Sequence, residues 1–477
     1  MFFWACLTFV LWNASTIWWI WFATPVGPPA ATLASTTLNM IAFMLYHSVS
    51  KHASKALAYT TFVAAWIATE YWYTVGDFSW PWLILGNGFS HDVWAVQWYE
   101  YTGVFGGSLW VLLTNLFVFE AWQWRSRRRA VLAFGVWALP VVLSLALWWG
   151  KSYDDEVKVK VSILQPNVDC YSKFDGDTHA QEQNILNLLA KVPSDADFVV
   201  LPETAVPQYY WEPHLGSLPF TKERGRVWLT LEDRLKSQCP NALLITGANT
   251  LRYYREGAQT QTARKDPYGG WYDHFNTAVG LDSAGCFQLH HKGRLVIGVE
   301  KTPMPWLFKK LEFLVIDLGG TLGQIGQGTE GRAFEHRGVR VGASICYEGL
   351  YGDFFGDFVR HGADFMTLIS NDGWWRDTPG YRHLFTISRL RAIEHRRAIA
   401  RSANTGRSGF ISPRGDVGET LGWDERGIIT QRVPLRTEKT FYTRYGDYLG
   451  RIAQYILLLC ILYYIAYRIK KINYLVD

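Results

Sequence analysis

The chain has 477 residues, with 47 Lys and Arg against 42 Asp and Glu and a formal net charge of +5. That length is too great for one ordinary domain and suggests about three. Aromatics make up 16% of the chain, 24 of them Trp, more than one soluble core needs, and the mean hydropathy of -0.03 averages two unlike parts. Residues 1–150 are apolar and nearly uncharged, whereas 151–445 read as an ordinary charged globular domain.

A membrane-spanning helix needs about 20 mostly apolar residues. In chain order the candidates are Phe2–Phe22, Pro29–His47, Ala56–Thr74, Gly103–Trp122 and Ala130–Trp149, with a further one at Leu449–Tyr467. A single run of this kind could be a buried core helix. Five in succession, joined by short polar breaks, argue for a membrane domain. Lys51 and Lys55 precede the third span, Arg125, Arg127, Arg128 and Arg129 precede the fifth, and Arg468, Lys470 and Lys471 follow the last. The other breaks carry no Lys or Arg. Positive loops stay in the cytoplasm, so both termini are expected inside and the region between Gly150 and Gly450 outside. The net charge is therefore topology, and no basic stripe with interleaved aromatics marks a nucleic-acid binder. The expected parts are a membrane domain (1–150), an extracytoplasmic domain (151–445), and a C-terminal span with a cytoplasmic tail (446–477).

Two membrane features carry alternatives. Glu70 lies inside a span, where an ionisable group is costly and points to function, although a structural pairing or a snorkelling position near the outer end reads equally well. Ser79–Phe89, with Trp80 and Trp82 around Pro81, is either an interfacial aromatic anchor or a re-entrant loop held against protein.

The outer region alternates strand-like apolar runs with helical stretches, which predicts an α/β layered domain. Val159–Val168 reads as a strand and Asp177–Val192 as a helix with Ile185, Leu188 and Leu189 on one face. Asp197–Val206 is a buried strand ending at Glu203, and Asn241–Thr250 and His274–Gly285 are further strands. "GVRVGASICYEG" and "ADFMTLISNDGWW" follow, with a helix predicted at Tyr351–His361. Three groups stand where a strand has just ended: Glu203, Lys292 and Cys346. Each has a plain alternative: a helix N-terminal carboxylate, a surface lysine, and core filler. Together they form a chemistry. A thiol needs a base or a positive neighbour to become a thiolate, a carboxylate serves as that base, and an ammonium with the Tyr347 N–H holds an oxyanion.

The order Glu, Lys, Cys in "LPETAVPQ", "HHKGRLVIGVEKTP" and "ASICYEG" resembles the carbon–nitrogen hydrolase (nitrilase) superfamily. With the run Leu368–Asp416, "EYWYTVGDFSWPWLILGNGF", "YTRYGDYLG" and the flanking spans, the chain resembles its membrane-bound branch, the apolipoprotein N-acyltransferases, along essentially its whole length. The resemblance implies a multi-pass helical membrane domain and a four-layer α-β-β-α domain. It implies Glu203 as base, Lys292 as oxyanion stabiliser and Cys346 as nucleophile, supported by Glu300, Tyr347 and Glu348. The implied reaction moves an acyl chain from a phospholipid, through a Cys thioester, to the amine of a diacylglyceryl-cysteine lipoprotein. No metal or cofactor is implied, and the expected state is a monomer in the bacterial inner membrane with the catalytic domain on the periplasmic side. Phe174, Trp80 and Trp82 are the candidate acyl-pocket residues. The sequence departs from the family at "VIGVE" (Val296–Glu300), where a Pro-Phe-Gly-Glu turn is usual, and at Lys173–Phe174, where Lys-Trp is common. The Glu203–Lys292 spacing is long, which places a surface insertion near Leu251–Tyr272. The family generally has eight spans against six here, so two are absent or lie upstream of Met1, and a difference of two preserves the topology. Other readings are a membrane-tethered amidase, sharing the three groups, and a non-enzymatic scaffold, in which they would not converge. Of Cys170, Cys239, Cys286 and Cys346, only Cys346 is expected to be free by function, since a disulfide would remove the nucleophile.

Overall fold

The computed structural model describes residues 1–153, 156–174, 176–212, 225–267, 269–302 and 324–476. They form two compact units, Met1–Lys151 with Thr440–Asp477, and Ser152–Lys439.

In the first unit, α1 (Phe2–Ile17) continues as a tighter turn to Phe22, followed by α2 (Gly27–His52) and α3 (Lys55–Val75). Next come α4 (Val104–Trp124), α5 (Arg127–Gly150) and, from the far end of the chain, the C-terminal helix Tyr448–Val476. Ser54 caps α3 by accepting the Leu57 N–H at 3.3 Å, which satisfies one of the orphan donors of its first turn. Among the described residues four stretches are long and apolar enough to cross a membrane: Phe2–Phe22, Val104–Trp124, Arg127–Gly150 and Tyr448–Lys471. Helices α2 and α3 have the length but carry more polar residues, several of which are buried within the unit. Asn13 of α1 donates to Thr36 of α2 at 3.0 Å, with Ser35, Asn39, Thr61 and Glu70 also buried. Polar side chains that pair between helices lower hydropathy without facing lipid.

The segment after α3 is neither helix nor strand but a succession of tight turns, Pro81–Leu83 and Leu85–Ser90. Its backbone finds partners on the neighbouring helices. Glu70 accepts the Leu85 N–H at 2.8 Å and the Trp66 ring N–H at 3.1 Å. Gly86 donates to Ser108 at 3.1 Å, and its carbonyl accepts the Tyr99 hydroxyl at 2.9 Å. Trp82 packs edge-on against Trp19 with ring centroids 5.0 Å apart. Irregular backbone tied in this way to protein groups is the kind that survives at membrane depth. Glu70 thereby has a structural task, holding a turn.

The second unit is an α/β domain of two mixed sheets. The first runs β14 (Gly427–Pro434), β1 (Lys158–Gln165), β2 (Phe198–Val200), β4 (Leu243–Tyr254), β6 (Trp271–Leu281) and β5 (Arg264–Lys265). On it, β3 (Val206–Trp211) pairs with β4 and β7 (Phe287–His291) with β6. The second sheet runs β13 (Val417–Leu421), β12 (Ser408–Ile411), β11 (Ile399–Ala403), β10 (Phe365–Ser370), β9 (Val339–Ile345) and β8 (Ala333–His336). Strands β9, β10 and β11 are parallel, as are β1, β2 and β4. These read as continuous apolar runs because both of their faces are covered. Phe198 of β2 meets Phe365 of β10 edge-on at 5.0 Å where the sheets face each other. Helices α6 (Thr178–Leu189) and α7 (Arg226–Gln238) bury Ile185, Leu188, Trp228, Leu231 and Leu235 against the first sheet. Helices α8 (Gly352–Arg360) and α9 (Pro379–His395) pack on the second, giving four layers. The expected surface insertion is ladder at its two ends, where β4 and β6 pair out to Tyr254–Trp271, and turns between them, with β5 (Arg264–Lys265) laid along β6. Trp211 of β3 packs edge-on against both Tyr253 and Tyr272 of that extension, with ring centroids 6.4 and 6.0 Å away.

At Gly86 a Cβ would lie 1.9 Å from the Val104 carbonyl oxygen, whereas at Gly135 in α5 it would meet nothing within 4 Å. Gly86→Ala is expected to cost about 1–3 kcal/mol through overpacking, while Gly135→Ala is neutral or slightly stabilising. Thermal unfolding of the purified chain in detergent checks this, and equal midpoints for the two variants would contradict the packed position given to the Pro81–Ser90 turns.

Candidate active site

Glu203, Lys292 and Cys346 come from three strand ends and meet. Glu203 follows β2 by three residues, Lys292 follows β7, and Cys346 follows β9 at the start of a tight turn, Cys346–Leu350. Lys292 Nζ lies 2.9 Å from Glu203 Oε1 and 2.9 Å from Glu300 Oε1. The Cys346 thiol lies near enough to the Glu203 carboxylate to help hold that carboxyl below its ordinary value. All three side chains are buried, with Lys292 only 1% exposed, so it is no surface lysine. Glu203 leads into the short β3 and starts no helix. Cys346 adopts φ +46°, a left-handed conformation that costs a non-glycine residue about 1–3 kcal/mol and that clusters at functional sites.

Glu300 and Glu348 do different things. Glu300 uses Oε1 for Lys292 and Asn276 and Oε2 for the Val296 N–H at 2.9 Å, which closes the "VIGVE" turn on itself. Glu348 is fully buried and accepts the Ile345 N–H at 2.6 Å, the Gly293 N–H at 2.6 Å and His290 at 3.1 Å. It ties the strand end before Cys346 to the residue after Lys292. Tyr347 is buried and packs edge-on against Tyr351, with ring centroids 5.4 Å apart. Arg391 of α9 fixes the other end of the turn by donating to the Leu350 carbonyl at 3.0 Å. Phe174 is 44% exposed, next to the buried Lys173, and Trp80 and Trp82 lie in the first unit.

Several contributors are not singled out by the sequence reading. Asn276, in the middle of β6, donates to Glu203 at 2.7 Å and to Glu300 at 3.0 Å. The Asn371 backbone N–H donates to Glu203 Oε2 at 3.0 Å. Ser370 Oγ sits 3.3 Å from Cys346 Sγ and 2.5 Å from Asp372 Oδ1, its single proton serving one of them at a time. Arg401, fully buried, holds Asp372 at 2.8 Å. Lys173 donates to the Glu203 carbonyl at 3.2 Å and to Thr204 Oγ1 at 3.1 Å. "LISND" carries the same signal as "ASICYE", polar residues directly after an apolar run, so that Ser370 and Asn371 were within reach of strand-end reasoning.

The charges define a resting state. Burial alone would raise the Glu203 carboxyl, but the Lys292 charge and the bonds from Lys292, Asn276 and Cys346 hold it below its ordinary value. Burial works against the Lys292 ammonium, yet Glu203 and Glu300 lift it well above the usual lysine range. Burial pushes the Cys346 thiol up, the Glu203 charge adds to this, and Lys292 opposes it. At neutral pH the site therefore holds a carboxylate, an ammonium and a neutral thiol. Among the described residues no disulfide forms, and Cys346 is free along with the other five cysteines.

Residues 160–441 match the family model described as "Carbon-nitrogen hydrolase", and residues 1–117 match "Apolipoprotein N-acyltransferase N-terminal domain". The chain belongs to the carbon-nitrogen hydrolase family. It is 28% identical to the apolipoprotein N-acyltransferase of Chlorobaculum tepidum over 92% of this chain and 83% of that protein. It is 27% identical to the apolipoprotein N-acyltransferase of Aquifex aeolicus over 82% of this chain and 81% of that one. Within the family it is thus a membrane-anchored acyltransferase of the apolipoprotein N-acyltransferase kind. Solved Nit3 of Saccharomyces cerevisiae, a member of branch 10 of the nitrilase superfamily, matches at 18% identity and TM-score 0.41. That match covers 60% of this chain and 92% of the other, and is too distant to carry an argument.

A Cβ on Gly247 of β4 would lie 2.3 Å from the Thr204 nitrogen and 2.6 Å from the Glu203 Cα. Backbone must therefore shift in Gly247→Ala, and a displacement near 1 Å at a reacting group costs about 10²-fold in rate. The expected outcome is a folded protein with acyl-enzyme formation reduced about a hundredfold. Unchanged single-turnover rates would show that the close approach of β4 does not set the position of Glu203.

Proposed function

We propose that Glu203, Lys292 and Cys346 carry a ping-pong acyl transfer. Glu203 takes the Cys346 proton, and the thiolate attacks the ester carbonyl of a membrane phospholipid. Lys292 and the backbone N–H following Cys346 hold the oxyanion. The ester C–O bond breaks, the leaving alkoxide takes the proton from Glu203, and lysophospholipid departs from a Cys346 thioester. The α-amine of a diacylglyceryl-cysteine lipoprotein then attacks the thioester, gives its proton to Glu203, and expels the thiolate, which is reprotonated. Glu300 keeps Lys292 charged, and Glu348 is a positioning residue. The single observation behind this reading is that one buried carboxylate lies 2.9 Å from the Lys292 ammonium and shares its surroundings with the buried Cys346 thiol, each acting on the charge state of the other. A dry site also favours an amine acceptor over water.

We further propose that the chain acts as a monomer in the bacterial inner membrane, with α2 and α3 as spans beside the four more apolar helices. The Lys and Arg distribution supports a periplasmic catalytic domain. Phe174, Trp80 and Trp82 remain proposed acyl-chain contacts.

Cys346→Ala is expected to abolish labelling of the protein by phospholipid carrying a radioactive acyl chain. Mass spectrometry of lipoproteins from cells lacking and regaining the protein should show a third acyl chain only with the intact site. Labelling retained by Cys346→Ala would sink the assignment, and free fatty acid in place of triacylated product would point to an amidase-like hydrolase.

The charge state predicts a pH profile. Because Glu203 is held below the ordinary carboxyl range and the thiol is raised, thioester formation should be flat through neutral and mildly alkaline pH. It should fall only on the acid side, as Glu203 takes up a proton. A rise with a midpoint near the ordinary thiol value of about 8.5, followed by rapid quench, would show instead that a free thiolate sets the rate.

A further inference from the structure

One cavity in the first unit plays no part in the acyl transfer described above. Along α3, Ala56, Thr60, Val63 and Ile67 fall on one stripe, and α4 presents a second stripe at the same spacing from Leu109 to Glu120. Stripes of this period normally close into a helix–helix seam with axes about 8–10 Å apart. Here, with the C-terminal helix as third wall, a cavity of about 580 Å³ stays open between them. That volume lies within the range of about 300–1,000 Å³ typical of ligand sites. Small residues keep it open: Ala56, Thr60 and Ala64 on α3 and Ala453 opposite. From Ala56 to Ile67 the stripe runs about 17 Å at 1.5 Å per residue, the reach of an extended fatty acyl chain.

One end of this apolar groove is charged. Glu120 accepts the Tyr59 hydroxyl at 2.5 Å and Arg129 at 3.0 Å, and the Lys55 ammonium pairs with the same carboxylate. Two cations thus meet one carboxylate and leave an excess positive charge. Both side chains remain accessible, 48% for Lys55 and 40% for Arg129, and both lie over the Trp124 ring. Basic pockets between membrane helices on the cytoplasmic side are where anionic headgroups bind.

We propose that this groove holds an anionic phospholipid of the cytoplasmic leaflet, with an acyl chain along the α3–α4 seam and its phosphate against Lys55 and Arg129. The site rests on the first unit alone and is independent of the roles given to Glu203, Lys292 and Cys346. Full-length protein is equilibrated with a mixture of phosphatidylglycerol and phosphatidylcholine, and the lipid retained after delipidation is counted by native mass spectrometry. Wild type should retain one phosphatidylglycerol in preference to phosphatidylcholine. Glu120→Gln frees both cations and should raise that preference about fivefold, the effect of one charge near a headgroup. Lys55→Gln combined with Arg129→Gln should abolish the preference, and Thr60→Phe should remove the bound lipid by filling the groove. The opposite signs separate binding from misfolding, because a damaged bundle loses lipid in every variant. Retention falling in both charge variants, or one phosphatidylglycerol still held by Thr60→Phe, overturns the proposal.

Discussion

A lysine ammonium almost wholly removed from water is the constraint on which the catalytic domain depends. An isolated buried cation costs far more than a folded protein can offset, and removing one member of a buried pair typically costs about 3–5 kcal/mol. Lys292 is compensated by two carboxylates, Glu203 and Glu300, each at 2.9 Å. Those carboxylates are in turn satisfied by Asn276 and by the Asn371 and Val296 backbone. Three strand ends and the "VIGVE" turn must therefore arrive together or not at all. The resulting network is stable only in its complete form, which is also the form that can take a proton from a thiol.

The first unit obeys the same rule with different groups. Its short turns between α3 and α4 carry backbone donors that no ladder or helix uses, and Glu70, Ser108 and Tyr99 receive or supply the missing bonds. In water such turns would need no help. Surrounded by apolar helices, they fix which polar residues the spans must contain, and those residues make α3 less apolar than a free-standing membrane helix.

This explains what was legible in the sequence. Glu203 and Cys346 stand out because each follows an apolar strand run with a group that has no reason to be there, and Lys292, after the polar strand FQLHH, stands out through the order Glu, Lys, Cys. The layered α/β class followed from the alternation of such runs with helical spacing. Asn276 escaped notice because one amide inside a strand looks like an ordinary pairing residue, and only the fold shows that it bridges two carboxylates. In the sequence Lys173 is visible only as half of a pair with Phe174, whereas its ammonium reaches the Glu203 carbonyl and Thr204. Polar residues of α2 such as Thr36 carry no sign in the sequence of whether they face lipid or a neighbour. The β4–β6 extension was visible as extra length but not as paired strand, since register is decided by cross-strand contacts.

Glu348 has one more consequence. By accepting both the Ile345 and Gly293 N–H groups, it welds the elbow that presents the sulfur to the loop that presents the ammonium. The two cannot separate without stripping that buried carboxylate of one of its two backbone donors. In the proposed acyl transfer, donor and acceptor would then be exchanged around an unchanging centre, each bringing its carbonyl or amine to the same seat. The two proposed half-reactions would share a single geometry, and what distinguishes lipid from lipoprotein would lie in the walls around that seat rather than in Glu203, Lys292 and Cys346.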